Sequence, residues 1–190
     1  MTVASQIEDF RRYLIEDRRA PSNTVISYMR DLSRFSDFLV GSGIDEGNGV
    51  TPSVVSAYVD KLKNDGWSAS TVSRSVAALK CFYSYLHQAG HMPANPAANA
   101  SAAPPAKSLP RILTIGEMEL LLKQPLSYGS KGCRDKAMLD LMYATGIRVS
   151  EFVALNIDDI NLATGLVRCR DADKHKERHI PLYPSAIKSL

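Results

Sequence analysis

The chain has 190 residues, 45% of them hydrophobic and 23% charged, with a net charge of +3. Those proportions exclude a largely disordered chain and supply enough apolar material for one domain or two small ones. Charge is even along the sequence, with 11 basic and 10 acidic residues up to Pro110 and 12 and 10 beyond it, so bulk electrostatics alone does not point to nucleic acid.

Four amphipathic helices are predicted in the first ninety residues. Ile7, Phe10, Leu14 and Ile15 recur at helical spacing, followed by a stripe of Val25, Tyr28, Met29, Leu32, Phe35 and Leu39. A third stripe is Val54, Val55, Tyr58, Val59 and Leu62, and a fourth is Val72, Val76, Leu79, Phe82, Tyr83 and Leu86. Pro21-Ser22-Asn23-Thr24 and Thr51-Pro52 offer helix starts, and Gly41, Gly66 and Gly90 offer left-handed helix ends. One stripe per helix with short connections predicts a compact bundle over 1–91. Phe35, Phe38, Tyr58, Phe82 and Tyr83 belong to its core, and Trp67 is placed to pack against the fourth helix.

From 92 to 110 the chain is rich in Pro, Ala, Asn and Ser and poor in large apolar residues, which reads as an extended inter-domain linker. A second domain is expected over 111–190. Thr114-Ile115-Gly116-Glu117 is a capping-box pattern. A deeply buried helix is predicted over 134–143, with Ala137, Met138, Leu141 and Met142 on its apolar face, and Gly146 ends it. A short helix over 149–155 follows. The period then changes: 166–170 and 177–182 read as two strands around the polar turn Asp171-Ala172-Asp173, and Pro184 to Leu190 begins another helix.

The cysteines Cys81, Cys133 and Cys169 are odd in number and far apart, without metal-ligand spacing. The four histidines show no paired spacing either. A reduced, cytoplasmic protein without metal is the expectation. The start, Met1-Thr2-Val3-Ala4-Ser5-Gln6, lacks a basic stretch before an apolar core, so no signal peptide and no membrane partner are expected.

Chemistry concentrates in the second half. Arg148 follows a glycine-terminated helix at the mouth of the next one, with Glu151 in that helix's first turn. The hairpin gathers Arg168, Arg170, Lys174, Lys176 and Arg178, offset by Asp171, Asp173 and Glu177. A guanidinium fixed between helices matches phosphate oxygens, and a lysine on a hairpin reaches a phosphodiester from the side. From spacing alone, a surface ion pair and a solvated sheet edge are the commoner readings.

A long ordered run carries a resemblance that changes this weighing. It comprises Arg134-Asp135-Lys136-Ala137-Met138, Tyr143-Ala144-Thr145-Gly146-Ile147-Arg148-Val149-Ser150-Glu151, Leu155-Asn156-Ile157-Asp158-Asp159-Ile160 and Lys176-Glu177-Arg178-His179-Ile180-Pro181-Leu182. With Thr24-Val25-Ile26-Ser27-Tyr28-Met29-Arg30-Asp31-Leu32 and Ser70-Thr71-Val72-Ser73-Arg74 in the front half, it resembles the tyrosine recombinases, their Xer-like and phage-integrase branches in particular. The resemblance implies a mainly α chain: a four-helix, SAM-like core-binding domain, then the beginning of a mixed α/β catalytic domain with a small β-hairpin.

It further implies that Arg148 holds a scissile phosphate with Glu151 supporting it, and that a hairpin lysine is the general acid toward the leaving 5′ oxygen. The family's hairpin pattern is Gly-Lys-Gly-x-Lys-Glu-Arg, whereas this chain has Asp171-Ala172-Asp173-Lys174-His175-Lys176-Glu177-Arg178. Lys174 precedes the Lys-Glu-Arg block and is the first candidate; Lys176 is the reserve. Arg74, Lys80, Thr24, Ser27, Arg30 and Ser73 are the expected DNA contacts, on the polar faces of helices two and four; Arg34 is expected to share the face of Ser27 and Arg30.

The partner implied is double-stranded DNA, bound in the full-length family by a tetramer on two sites, with no cofactor. The family's His-x-x-Arg box and nucleophilic tyrosine have no counterpart here, and Tyr183 sits where the family has an ordinary residue. The expectation is a fragment that binds DNA without cleaving it. A non-catalytic module that occupies recombination sites or regulates a full-length partner is the alternative. A helical interaction protein that binds no DNA is the third reading.

Overall fold

A computed structural model describes residues 2–44, 49–102, 109–125, 129–171 and 176–190. The chain divides into two compact units, Met1–Ser108 and Leu109–Leu190. It is mostly helical, with one small antiparallel sheet.

The first unit holds four helices: α1 (Val3–Glu16), α2 (Ser22–Gly41), α3 (Pro52–Asn64) and α4 (Ala69–Gln88). Each lays its apolar stripe into one core built around Phe10, Leu32, Phe35, Tyr58, Leu79, Phe82 and Tyr83. Phe35 meets Tyr58 edge-on at 4.9 Å, and Phe82 meets Tyr83 at 5.0 Å, a geometry that favours the rings' quadrupoles. Hydroxyl caps start two helices: Thr2 accepts from the Ser5 amide and Ser68 from the Thr71 amide. Thr51 makes no such bond, so α3 starts on its proline alone. The left-handed residue after α2 is Gly43 (φ 72°), not Gly41, which closes the helix itself.

The polar stretch after α4 is not simply a linker. Met92 and Ala97 are buried in the first core, and Ala100 and Ala102 pack against it. Asn95 pins this segment by donating to the Lys80 carbonyl at 3.1 Å and accepting from the Ala97 amide at 2.8 Å. Small side chains are what let it lie flat on the bundle.

Tyr83 is fully buried, and its hydroxyl finds no partner among the described residues; burial pushes its pKa up. Tyr83→Phe removes an unsatisfied polar group without changing shape. It is expected to stabilise this unit by about 1 kcal/mol, seen as a higher urea midpoint at unchanged slope.

The second unit contains α5 (Ile115–Leu122), α6 (Gly129–Thr145), α7 (Val149–Val153) and α8 (Pro184–Ser189), with a 3-10 turn at Ile157–Asp159. Its sheet is β1 (Ile160–Asn161), β2 (Leu166–Asp171) and β3 (Lys176–Pro181), in the order β1-β2-β3. The capping box of α5 forms both ways: Thr114 Oγ1 accepts from the Glu117 amide, and Glu117 accepts from the Thr114 amide at 2.8 Å.

The core here is Leu141, Ile147, Val167, Cys169, Leu182 and Ala186. The deep burial expected of α6 does not hold: only Leu141 is buried along it, and Met138 and Tyr143 are exposed. Its apolar residues are spread over more than one face. Leu141 enters the core, while Ala137 and Met138 line an open groove with Phe152, Leu155, Ile157 and Ile160.

A candidate DNA interface and phosphate-holding site

Arg148 owes its place to a sharp chain reversal. Thr145 ends α6 with its hydroxyl on the Leu141 carbonyl at 2.6 Å, and Gly146 turns at φ 60°, a conformation cheap only for glycine. Ile147 then plugs into the core, and Arg148 becomes the N-cap of α7. Its side chain stays 68% exposed.

Glu151 lies in the first turn of α7 and is buried, with 5% of its side chain exposed. One oxygen accepts from the Arg148 amide at 3.0 Å, the returning half of a capping box. The other accepts from Arg148 Nη1 at 3.0 Å. Across the sheet, Arg178 donates to both oxygens, at 2.6 and 2.8 Å. Arg178 pairs with Cys169 in the β2–β3 register, and both lie on the face that carries the buried Val167 and Cys169. The Arg178 guanidinium, ahead of the smaller pull from Arg148, holds the Glu151 carboxyl down at about 2. One buried carboxylate therefore serves two arginines, one exposed and one from the hairpin.

A second node lies beside it. Asp159 is buried at the end of the 3-10 turn. It accepts from the Asn156 amide at 3.1 Å and from Arg168 Nε at 2.9 Å, and it forms an ion pair with Arg170 Nη2 at 2.9 Å. The Asn156 amide and these guanidiniums hold its carboxyl below the usual range. Arg170 also reaches Glu177 at 3.4 Å. So Arg168 and Arg170, counted in the sequence as basic hairpin charge, are neutralised in place.

Of the two hairpin lysines, Lys174 lies outside the described residues. Lys176 opens β3, paired in register with Asp171 and two positions before Arg178. Tyr183 is the exposed N-cap of α8. Among the described residues no group of three or more His, Cys, Asp or Glu side chains could hold a metal, and no helix is long and apolar enough to cross a membrane.

In the first unit, the expected DNA contacts lie on α2 and α4, which pack together. Arg30 is exposed, while Thr24, Ser27 and Ser73 are half-buried. Lys80 is also half-buried and lines a cavity of about 500 Å³ with Arg18, Tyr28, Ser84 and Tyr85. Arg74 is engaged inside the protein: its Nε and Nη2 donate to Asp31 at 2.8 and 3.1 Å. Arg34 is half-buried where Arg30 is exposed. It donates to Asp31 at 3.3 Å and lies 4.1 Å over the ring of Trp67, which itself stays exposed.

Asp31, Asp159 and Arg178 are the residues that sequence reasoning missed. Asp31 had a signal in its place beside Leu32 within an apolar stripe, and Asp159 in the Asn156-x-x-Asp159 spacing. Arg178 had one in its alternation with Ile180, which puts a charge on an inward face.

A four-helix bundle followed by a helix–hairpin module, with an exposed arginine seated on a buried carboxylate, defines the integrase class of fold. Residues 7–90 match the model of the phage integrase N-terminal SAM-like domain, and residues 111–190 match that of the phage integrase family. The chain belongs to the tyrosine recombinase, or phage integrase, family.

Tyrosine recombinase XerC of Herpetosiphon aurantiacus is 37% identical over 186 residues, which is 97% of this chain and 60% of that protein. Tyrosine recombinase XerD of Halalkalibacterium halodurans is 34% identical over 190 residues, covering all of this chain and 63% of the relative. The chain thus spans about three fifths of the relatives it matches.

Among solved structures, the lambda integrase tetramer bound to a Holliday junction superimposes with a TM-score of 0.76 at 21% identity, covering 98% of this chain and 51% of that one. The Tn1549 transposon integrase in complex with a circular intermediate DNA gives 0.75 at 15% identity, covering 100% and 63%. At these identities the likeness is one of fold.

Proposed function

We propose that this chain carries the duplex-gripping unit and the phosphate-holding arginine of a site-specific DNA recombinase. The observation that carries the reading is Arg148: exposed for a ligand, yet anchored through a buried carboxylate that a second arginine holds ionised.

The chemistry follows from that seat. Arg148 spends one Nη and its backbone amide on Glu151, and the rest of its fork faces a phosphodiester. It withdraws charge from the non-bridging oxygens as a pentacoordinate phosphorus forms. A hairpin lysine, Lys174 or Lys176, protonates the leaving 5′ oxygen. In the complete family enzyme a tyrosine attacks the phosphate and is carried as a 3′ phosphotyrosine; that nucleophile is not assigned to any residue of this chain. Thr24, Ser27 and Arg30 on α2, with Ser73, Arg74 and Lys80 on α4, meet the DNA from the first unit. The complete assembly is a tetramer on two DNA sites.

Duplex binding is expected, with affinity falling about 10³-fold between about 50 and 200 mM salt, as for a protein that neutralises about six phosphates. Gel shifts across a salt series test this. A chain with no duplex affinity at low salt is an interaction protein, and the reading fails.

A further inference from the structure

Among the described residues Asp31 is the most deeply buried charge in the first unit, with none of its side chain exposed. Its partners come from two helices and reach the surface: Arg74 on α4 is 40% exposed and Arg34 on α2 is 25% exposed. The pairing with Arg74 is side-on, through Nε and Nη2, which leaves both N–H groups of Nη1 uncommitted to Asp31. A guanidinium gripped along one edge has lost the freedom of its long side chain while keeping donors for a ligand. Arg34 is fixed twice, by the same carboxylate and by the Trp67 ring. The face where α2 and α4 meet therefore presents two arginines in set orientations. A carboxylate beneath them opposes their attraction to a polyanion.

A carboxylate in that place works against simple phosphate attraction, because it cancels charge that would raise affinity for any duplex. What it supplies is orientation, which matters where a guanidinium must match the edge of one base and not another. We propose that Asp31 is a positioning residue for DNA sequence discrimination, acting through Arg74. The inference rests on the duplex-binding reading above and goes beyond it by assigning selectivity to a buried residue that touches no DNA.

The predicted signs of effect separate this role from a structural one. In Asp31→Asn the face gains a unit of positive charge and Arg74 loses its charged clamp. Affinity for an unrelated duplex should rise or hold, while preference for a favoured sequence should fall about tenfold. Arg74→Lys keeps the charge but loses the fork, so its affinity should fall more on the favoured duplex than on an unrelated one, narrowing the same preference.

The experiment selects favoured duplexes from a randomised pool with the unaltered chain. Both variants are then compared on the selected and an unrelated duplex by fluorescence anisotropy, with folding checked by circular dichroism. Loss of preference in both variants, with unrelated-duplex affinity retained in Asp31→Asn, is the expected result. If the unaltered chain binds duplex without selecting any sequence, or if both variants keep its preference, the role of Asp31 is overturned while duplex binding stands. A parallel fall on both duplexes in Arg74→Lys, whose charge is unchanged, makes Arg74 a phosphate contact and also overturns it. If the unaltered chain binds no duplex, the underlying reading fails first.

Discussion

Replacing Arg148 by alanine is expected to reduce strand cleavage by about 10²–10³-fold, the scale for losing one donor to a transition-state oxyanion. The assay joins this chain to the C-terminal part of the Herpetosiphon aurantiacus XerC and scores covalent protein–DNA adduct on a nicked duplex. Arg148→Lys should recover little, since an ammonium cannot offer the paired donors of a guanidinium. Binding should suffer far less than cleavage, because in the proposed grip on the duplex Arg148 is one contact among many. An alanine variant that forms adduct at the parental rate would remove Arg148 from the chemistry. A chimera that forms none even with Arg148 present would point to a module that occupies sites without cutting them.

The second large effect concerns Glu151. Converting it to glutamine removes the charge that seats Arg148 and Arg178. Both arginines are partly exposed, so water takes over some of their solvation. The expected loss is about 1–3 kcal/mol of stability in the C-terminal unit, the cost of leaving charged donors poorly paired. Its pH dependence has a definite sign. The Glu151 carboxyl is depressed from an ordinary 4.5 to about 2. Its contribution is therefore complete above about 4.5, declines as pH falls below that, and is gone near 2. The gap between parent and Glu151→Gln, read from hydrogen exchange of the β2 and β3 amides, should narrow over that window. A gap that does not change with pH would mean that Glu151 is held by packing and not by its charge.

Much of this architecture is legible in the residues themselves. The four front helices are visible because each carries a single stripe, and a stripe has one way to be buried. The α5 box is visible because a threonine and a glutamate three apart satisfy each other locally. The strand β1 is not, since two residues are too few to show a period. The misreading of α6 has a related cause: Ala137, Met138, Leu139, Leu141 and Met142 announce an apolar helix but not how much of its circumference neighbours will cover.

The site divides in the same way. Arg148 and Glu151 are neighbours in sequence, so their pairing can be anticipated from helix geometry. Arg178 is 27 residues from Glu151, and its arrival depends on the β2–β3 register. Asp31 and Arg74 are 43 apart and meet only because α2 and α4 pack together. Charge counted along the sequence could not show that Arg168 and Arg170 are spent on Asp159, nor that Arg74 is already held.

The placement of two unremarkable side chains makes each unit observable by itself. Trp67 is the only tryptophan, and it lies under Arg34 in the first unit. Its emission follows the α2–α4 region. Cys169 is fully enclosed on β2, where burial raises its thiol pKa, so a thiol reagent reaches it only when the sheet opens. Emission from the native tryptophan thus times the opening of one unit, and reagent uptake at the one buried cysteine times the other, so the order in which they open can be read without introducing a residue.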